Sequence, residues 1–507
     1  MDLDVQKLYQ KVHNLSKKTE LLGSIDQLLS WDRETHQPIS ANDIRSLQIE
    51  ELTTRIHKER TSPGFAKALS SLIDLETAAI LHTSLKPSQI VALKLWRKNY
   101  LKAKKLPASF VAKFANAVSN ATNVWSIAKQ QNDFAKFAPF LQQIVDLSKK
   151  KTDILGYSDH PYDALIDDYE PGTTTAMLIP LFADLKSDLK SLLQGLSTKA
   201  MDVTPFPKGN FPISLQKDFS YELLDSMGFP KGSFSLDEAE HPFCCGIHPT
   251  DIRMTTKIYP SDIISNIFSV LHEGGHGLYH MNLPEKEFGS PICESASHGM
   301  DESQSRFWET IIGRSLPFWK HFLPKLKTVF PEQLSSLTLP DFYKMINQVQ
   351  PTLIRIHSDE VTYSLHIIVR FEIEKGLIEG SIKVKDLPEI WKVKMKEYVG
   401  IVPPTDTEGC LQDIHWSAGL LGYFPSYTLG NLYAAQIFGA FEKKFPNWED
   451  LVAKGDLLFI KDFLHKNIHQ YGREFAPSDL IVKITGQPLQ ATPYVSYLRK
   501  KFSQIYQ

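Results

Sequence analysis

Leu271-His272-Glu273-Gly274-Gly275-His276 is the stretch around which the chain is read. On a helix, His272 and His276 lie four positions apart, so both imidazoles leave one face and can share a metal ion, with Glu273 about a quarter turn away. The pattern H-E-x-x-H is that of a zinc site with its general base attached. With 17 His among 507 residues, chance yields the pattern in only roughly 0.03 of such chains, so coincidence is the weaker explanation. The motif requires a helix, and the helical spacing that dominates the rest of the chain sets the expectation of a mainly α protein built around it.

Working outward, Gly274, Gly275 and Gly277 each cost a helix interior about 1 kcal/mol relative to Ala, so together they predict close approach of another backbone or of substrate. A catalytic zinc needs three protein ligands and an open position for water, so a third ligand must come from elsewhere. Glu294, His298, Asp301 and Glu302 are read on a second helical segment, with positions 294, 298, 302 and 306 at i+4 along one face. Either His or a carboxylate binds zinc at about 2.0 to 2.2 Å, and spacing does not choose among the four. Cys244, Cys245 and His248 form a rival cluster, weakened because neighbouring strand residues point to opposite faces.

Just before the motif, the run from His241 to Tyr259 alternates. Ile252, Met254, Thr256 and Ile258 fall on one face and Asp251, Arg253, Thr255 and Lys257 on the other, while Gly246 and Pro249 suit a turn between two strands. A small antiparallel sheet is therefore expected beside the metal helix, with Pro260 and Ser261 closing the strand and capping the helix. Elsewhere the apolar spacing is helical. Two helices are expected before Pro38, then a third capped by Ser40 with Ile44, Leu47, Leu52 and Ile56 on its inner side. Further helices are expected over Ser88 to Lys105, Phe110 to Lys149, Thr174 to Leu196, Glu294 to Ile312, Leu339 to Asn347, Leu353 to Leu377, Leu387 to Val399, Thr428 to Phe445 and Leu457 to Tyr471. The lysines and arginine between Lys94 and Lys105 read as the solvated face of an amphipathic helix.

Composition excludes several classes. A net charge of -2, from 56 basic and 58 acidic residues, gives no electrostatic case for nucleic acid or an anionic membrane. No apolar run reaches the 18 or so residues of a membrane span, and the Met-Asp-Leu-Asp start does not resemble a signal peptide. Four cysteines in so long a chain are too few for a disulfide scaffold. The expectation is a soluble cytoplasmic protein. With no repeat, low-complexity segment or flexible linker, residues 1–507 read as one catalytic unit: a helical part over 1–200, a strand-containing segment over 201–260, and a helical metal- and substrate-binding part over 261–507.

Along nearly its whole length the chain resembles the carboxypeptidase Taq family of thermostable metallocarboxypeptidases. The matching residues include Leu29-Ser30-Trp31-Asp32, Asp168-Tyr169-Glu170-Pro171-Gly172, His241-Pro242-Phe243, Asp251-Ile252-Arg253-Met254-Thr255 and the His272 to His276 motif. They continue with Glu302-Ser303-Gln304-Ser305-Arg306, Ile354-Arg355 with Asp359-Glu360, Gln412-Asp413-Ile414-His415-Trp416 and Gly422-Tyr423-Phe424-Pro425. The resemblance implies Glu302 as third ligand, a helical fold with a long deep groove, a homodimer, and release of single C-terminal residues with broad specificity. It implies one Zn²⁺ per subunit, replaceable by Co²⁺, with metal-activated water attacking the last peptide bond and Glu273 as general base. Arg355 is expected, by family position, to grip the terminal carboxylate, with an ion pair to Asp359 as its structural alternative. Arg253 on the preceding strand is the second candidate, and His415 and Tyr423 are expected to stabilise the oxyanion. The chain departs from the family pattern at two places: Asp301 stands where His is usual, and after Ile354-Arg355 it reads Ile356-His357-Ser358-Asp359 where Glu-Ala-Asp is usual. The alternatives are an oligopeptidase or dipeptidyl carboxypeptidase on a similar fold, and an inactive peptide-binding relative.

Overall fold

The motif helix spans Ile263–Met281 in a computed structural model that describes residues 2–199, 201 and 205–506. Asp262 caps it rather than Ser261, accepting the Ser265 N–H at 3.1 Å, because the Tyr259–Asp262 bridge closes the turn through Pro260 and Ser261 first. Ile263, Ile267, Phe268 and Leu271 are buried along one face, as the apolar spacing requires. The glycines make room for neighbours. A Cβ on Gly275 would lie 2.5 Å from Ser305 Cα and 2.6 Å from the Gln304 carbonyl oxygen, so the backbone of helix His298–Arg306 crosses directly against the motif. At Gly274 and Gly277 the neighbours are side chains, Met227 at 2.8 Å and Met254 at 3.0 Å.

Helix makes up 67% of the structure, and the mainly α expectation holds. The sheet has strands β1 (Phe234–Glu238), β2 (Cys244–His248) and β3 (Asp251–Thr256), in the order β1-β3-β2. The expected antiparallel pair is β2 with β3, Cys245 opposite Arg253. The sheet is nonetheless mixed, because β1 adds to β3 in parallel. Gly246 lies within β2 rather than in the turn, and a Cβ there would meet the His280 ring at 2.3 Å. Ile252, Met254 and Thr256 face the core; Thr255 on the other face is buried too, its hydroxyl accepting the Phe243 N–H at 2.9 Å.

At the amino end the two expected helices are one, Asp2–Thr35. Residues 16–20 contain neither Gly nor Pro, and buried Ser16 accepts the Trp96 indole N–H at 2.8 Å in mid-helix. Ser40 sits in the 3₁₀ turn Ile39–Ala41 and caps nothing; the helix Asn42–Arg60 that follows has no side-chain cap, and Ile44 and Leu47 are 54% and 61% exposed. The basic helix Pro87–Lys105 is not wholly solvated, since Lys98 pairs with Asp167 at 2.8 Å and Lys102 pairs with Asp168.

Two local differences bear on the site. Helix His298–Arg306 starts at a Ser297 cap, so Glu294 lies before it and is outside the proposed i+4 row. Arg355 occupies a 3₁₀ turn, Arg355–His357, and the following helix begins only at Tyr363. Asp359 turns its carboxylate to the N–H groups of Val361 and Thr362 at 2.8 and 3.0 Å, so it is not a helical i+4 partner of Arg355. Buried apolar side chains form one large cluster around the motif helix and a smaller one, centred on the N-terminal helices and Ile292. No helix among the described residues is long and apolar enough to cross a membrane.

The glycine contacts predict opposite effects of one substitution. Gly275→Ala, facing rigid backbone, is expected to destabilise the fold by about 1–3 kcal/mol. Gly439→Ala, in the interior of helix Phe424–Lys444 with nothing within 4 Å of the new methyl, is expected to stabilise it by about 0.5–1 kcal/mol. Denaturant midpoints of the two variants check both signs.

Candidate active site

The Gly275 crossing brings Glu302 beneath the motif. Glu302 Oε2 stands 3.7 Å from His272 Nε2 and 3.5 Å from His276 Nε2, and one ligand atom from each lies within 4.8 Å of the others. Two ligands bonded at about 2.1 Å to a tetrahedral ion are about 3.4 Å apart, so the three donors are spaced for one ion. The tautomers agree. His272 Nδ1–H donates to Glu309 Oε2 at 2.9 Å and His276 Nδ1–H to Asp301 Oδ1 at 2.8 Å, which leaves both Nε2 lone pairs facing the shared point.

The carboxylates are held ionised by their neighbours. Burial alone would raise the Glu302 carboxyl, but His272, Arg306 and His276 outweigh it and hold it well below the usual range. Arg306 Nε donates to Glu302 Oε1 at 2.8 Å, turning Oε2 toward the histidines, while Gly430 packs on the Glu302 Cγ with no space for a Cβ. Glu309 is brought back to His272 by a single π-helical turn, Phe307–Ile312. Against its own burial, Arg306, His272 and Arg314 hold the Glu309 carboxyl down to about 2. Glu273, buried one residue along the motif, is different: burial raises its carboxyl, Glu302 and Glu309 add to the effect, and His272 and His276 oppose it.

The other ligand candidates are committed elsewhere. Glu294 pairs with Arg473 at 2.6 Å. The His298 ring packs edge-on against Tyr169 and Tyr423, with centroids 5.3 and 5.4 Å away. Asp301 bridges His276 and His280. Cys244 and Cys245 are free thiols, and burial with nearby Glu273 pushes Cys245 up to about 11. His248 bonds Thr250 at 2.7 Å.

A second constellation lies beside the first. Arg355 donates through Nε and Nη2 to Asp413 Oδ1 at 3.0 and 2.9 Å and through Nη1 to the Tyr363 hydroxyl at 3.1 Å. The Tyr363 ring in turn carries the Arg306 guanidinium 4.1 Å from its centroid, which links Arg355 to the Glu302 cluster. Arg370 shares Asp413 at 2.7 Å, so two guanidiniums face one carboxylate and a net positive charge remains. Burial and that charge hold His415 down to about 3, a neutral ring. His415 Nε2 bonds the Tyr427 hydroxyl at 3.0 Å, and Tyr423 packs between Tyr169, His298 and Tyr427 with centroids 5.1, 5.4 and 5.2 Å away. Tyr427, Tyr363, Arg306, Glu309 and Asp413 were not singled out from sequence as site residues. For Tyr427 the one available signal is its i+4 spacing from Tyr423. Arg253, by contrast, is bound by Asp251 at 2.5 Å and stacked 5.0 Å over Trp31. A cavity of about 350 Å³ adjoins the site, lined among others by Glu20 of the first helix, Gly246, His280, His298 and Arg473.

Comparison with known proteins identifies a family for the chain. The family description "Carboxypeptidase Taq (M32) metallopeptidase" matches residues 11–502. The chain is 37% identical to thermostable carboxypeptidase 1 of Thermus thermophilus, covering 98% of this chain and 99% of that one. It is 34% identical to carboxypeptidase 1 of Bacillus subtilis, over 99% and 100%. The crystal structure of the M32 carboxypeptidase from Deinococcus radiodurans superposes with a TM-score of 0.94 at 32% identity, over 99% of both chains. The chain belongs to the carboxypeptidase Taq (M32) family of metallopeptidases.

Proposed function

We propose that this metallocarboxypeptidase holds one Zn²⁺ through His272 Nε2, His276 Nε2 and Glu302 Oε2, and releases single residues from the free carboxyl ends of peptides with broad specificity. The observation that carries the reading is the convergence of those three donors, each oriented by its own hydrogen bonds, beside the buried carboxyl of Glu273. A zinc ion bound there supplies Lewis acidity, lowering the pKa of water to about 7 and polarising the scissile carbonyl. Glu273, whose proton affinity is raised by burial, takes the proton of the attacking water and passes it to the leaving amine.

Tyr423 and Tyr427 supply hydroxyl donors for charge that develops on the carbonyl oxygen. His415 keeps Tyr427 in place through their 3.0 Å bond and stays neutral beside Arg355. Arg355 draws the terminal carboxylate: with Arg370 it outnumbers Asp413 two to one, so the site is completed electrically by one more anion. Arg253 lies on the central strand β3 with its guanidinium on Asp251 and over Trp31, and it remains the second candidate for the terminal carboxylate. Alignment of relatives over almost the entire length supports a single catalytic unit across 1–507. Four free cysteines suit a reducing cytoplasm. The exposed Ile39, Ile44 and Leu47 offer a face for a second copy in a homodimer. Co²⁺ is expected to replace Zn²⁺.

Three measurements test the reading. Glu273→Gln is expected to keep metal affinity and lose about 10²–10⁴-fold in turnover; activity near that of the parent would end the general-base assignment. Arg355→Ala should cut kcat/KM on free-ended peptides about 10²-fold or more, the loss of a buried charge-assisted pair, while leaving any slow hydrolysis of amidated peptides unchanged. Equal damage to both substrates would remove its carboxylate role. Chelation should abolish cleavage and Zn²⁺ or Co²⁺ restore it, with a peptide ladder shortening one residue at a time. Two-residue steps would instead mark a dipeptidyl carboxypeptidase.

A further inference from the structure

The two imidazoles of the motif are backed by carboxylates that are themselves held in different ways. Behind His272, Glu309 is fixed by two arginines, Arg306 at 3.2 Å and Arg314 at 3.8 Å. Behind His276, Asp301 has no lysine or arginine in ion-pair range among the described residues. Its Oδ1 accepts from His276 Nδ1 at 2.8 Å and its Oδ2 from His280 Nε2 at 2.9 Å. His280 stands one turn beyond His276, in the last turn of the motif helix, and its ring rests on Gly246 of the edge strand β2, where a Cβ would come within 2.3 Å of Nδ1. A histidine at 280, a glycine at 246 and an aspartate at 301 thus fit together as one contact. The same His280 lines the cavity beside the site.

We infer that His280 is a positioning residue for the metal ligand His276, acting through Asp301. The inference rests on His276 being a ligand, as proposed above. Asp is short, and its carboxylate turns about a single bond. With both oxygens engaged, it can present only Oδ1 to His276, and so fixes the ring orientation and keeps the proton on Nδ1. Without the His280 bond, a carboxylate oxygen with little access to water is left without a protein donor, the group is free to rotate, and His276 loses the acceptor that aims its Nε2 at the shared point. His280 supplies on this side the hold that Arg306 and Arg314 supply on the other. It also explains how Asp301, a departure from the family pattern, is accommodated next to Glu302: its partner is present one helical turn along the motif.

The test measures Zn²⁺ affinity of the full chain in a chelator-buffered series, with thermal unfolding of each metal-free variant as a folding control. His280→Phe, which keeps a ring but no donor, is expected to weaken Zn²⁺ about 10–100-fold and to shift the visible absorption of the Co²⁺-loaded protein. His280→Gln, which keeps an N–H donor, should recover most of that affinity. If the Phe variant does not fold, His280→Ala replaces it with the same expectation. Affinity of the Phe or Ala variant equal to that of the parent, or an equal loss in Gln and Phe, would overturn the role of the His280–Asp301 bond. His276→Ala separates the two levels: it should abolish tight binding, and if it does not, the ligand assignment fails first.

Discussion

The contact on which the site depends is the crossing of two helix backbones at Gly275. No side chain fits between Gly275 and the Gln304–Ser305 backbone, and that closeness lets a carboxylate from one helix meet two imidazoles from the other. Glu302 cannot stretch to compensate for a wider crossing, because its Oε1 is fixed by Arg306 and its Cγ lies against Gly430 of a third helix. Three helices are therefore pinned at one place, one through Gly275 and another through Gly430. Packing in protein interiors leaves little room for adjustment by fractions of an ångström, so the donor spacing is set by backbone contact rather than by flexible side chains.

Around that crossing, buried charge is compensated in layers. Each histidine donates to a carboxylate, and each carboxylate is held by a further cation or imidazole. Isolated charges at this depth would be costly, and the chain avoids them by sharing: Arg306 serves Glu302 and Glu309 together, and Asp413 serves Arg355 and Arg370. The exception is the Arg355 cluster, where two guanidiniums share the single carboxylate of Asp413, the imbalance on which the proposed grip on a peptide carboxylate rests.

Much of this was legible in the sequence, and the parts that were not share a cause. The motif helix, the β2–β3 pair and the meaning of its glycines follow from local pattern. Choosing Glu302 over Glu294, His298 and Asp301 does not, because the choice depends on where helix His298–Arg306 starts and on which helix it crosses. The Ser297 cap sets that start and the Gly275 contact that crossing, and apolar periodicity shows neither. Arg355 misled a helical reading for a similar reason: its partner is Asp413, 58 residues away, and not a neighbour on the same turn. Strand β1 was missed because a parallel partner leaves no turn signal. The fusion of the first two expected helices into one reflects the absence of a breaker, which apolar spacing does not record.

The wide turn Phe307–Ile312 constrains how this chain can change length through evolution. Regular α geometry from Arg306 onward would be the less strained local choice, and losing one residue would restore it. Yet such a loss would carry the Glu309 carboxylate about 100° around the axis, away from His272. A deletion that relaxes the helix would thus disconnect Glu309 from His272, so the irregular winding and the bond made from within it stand or fall together.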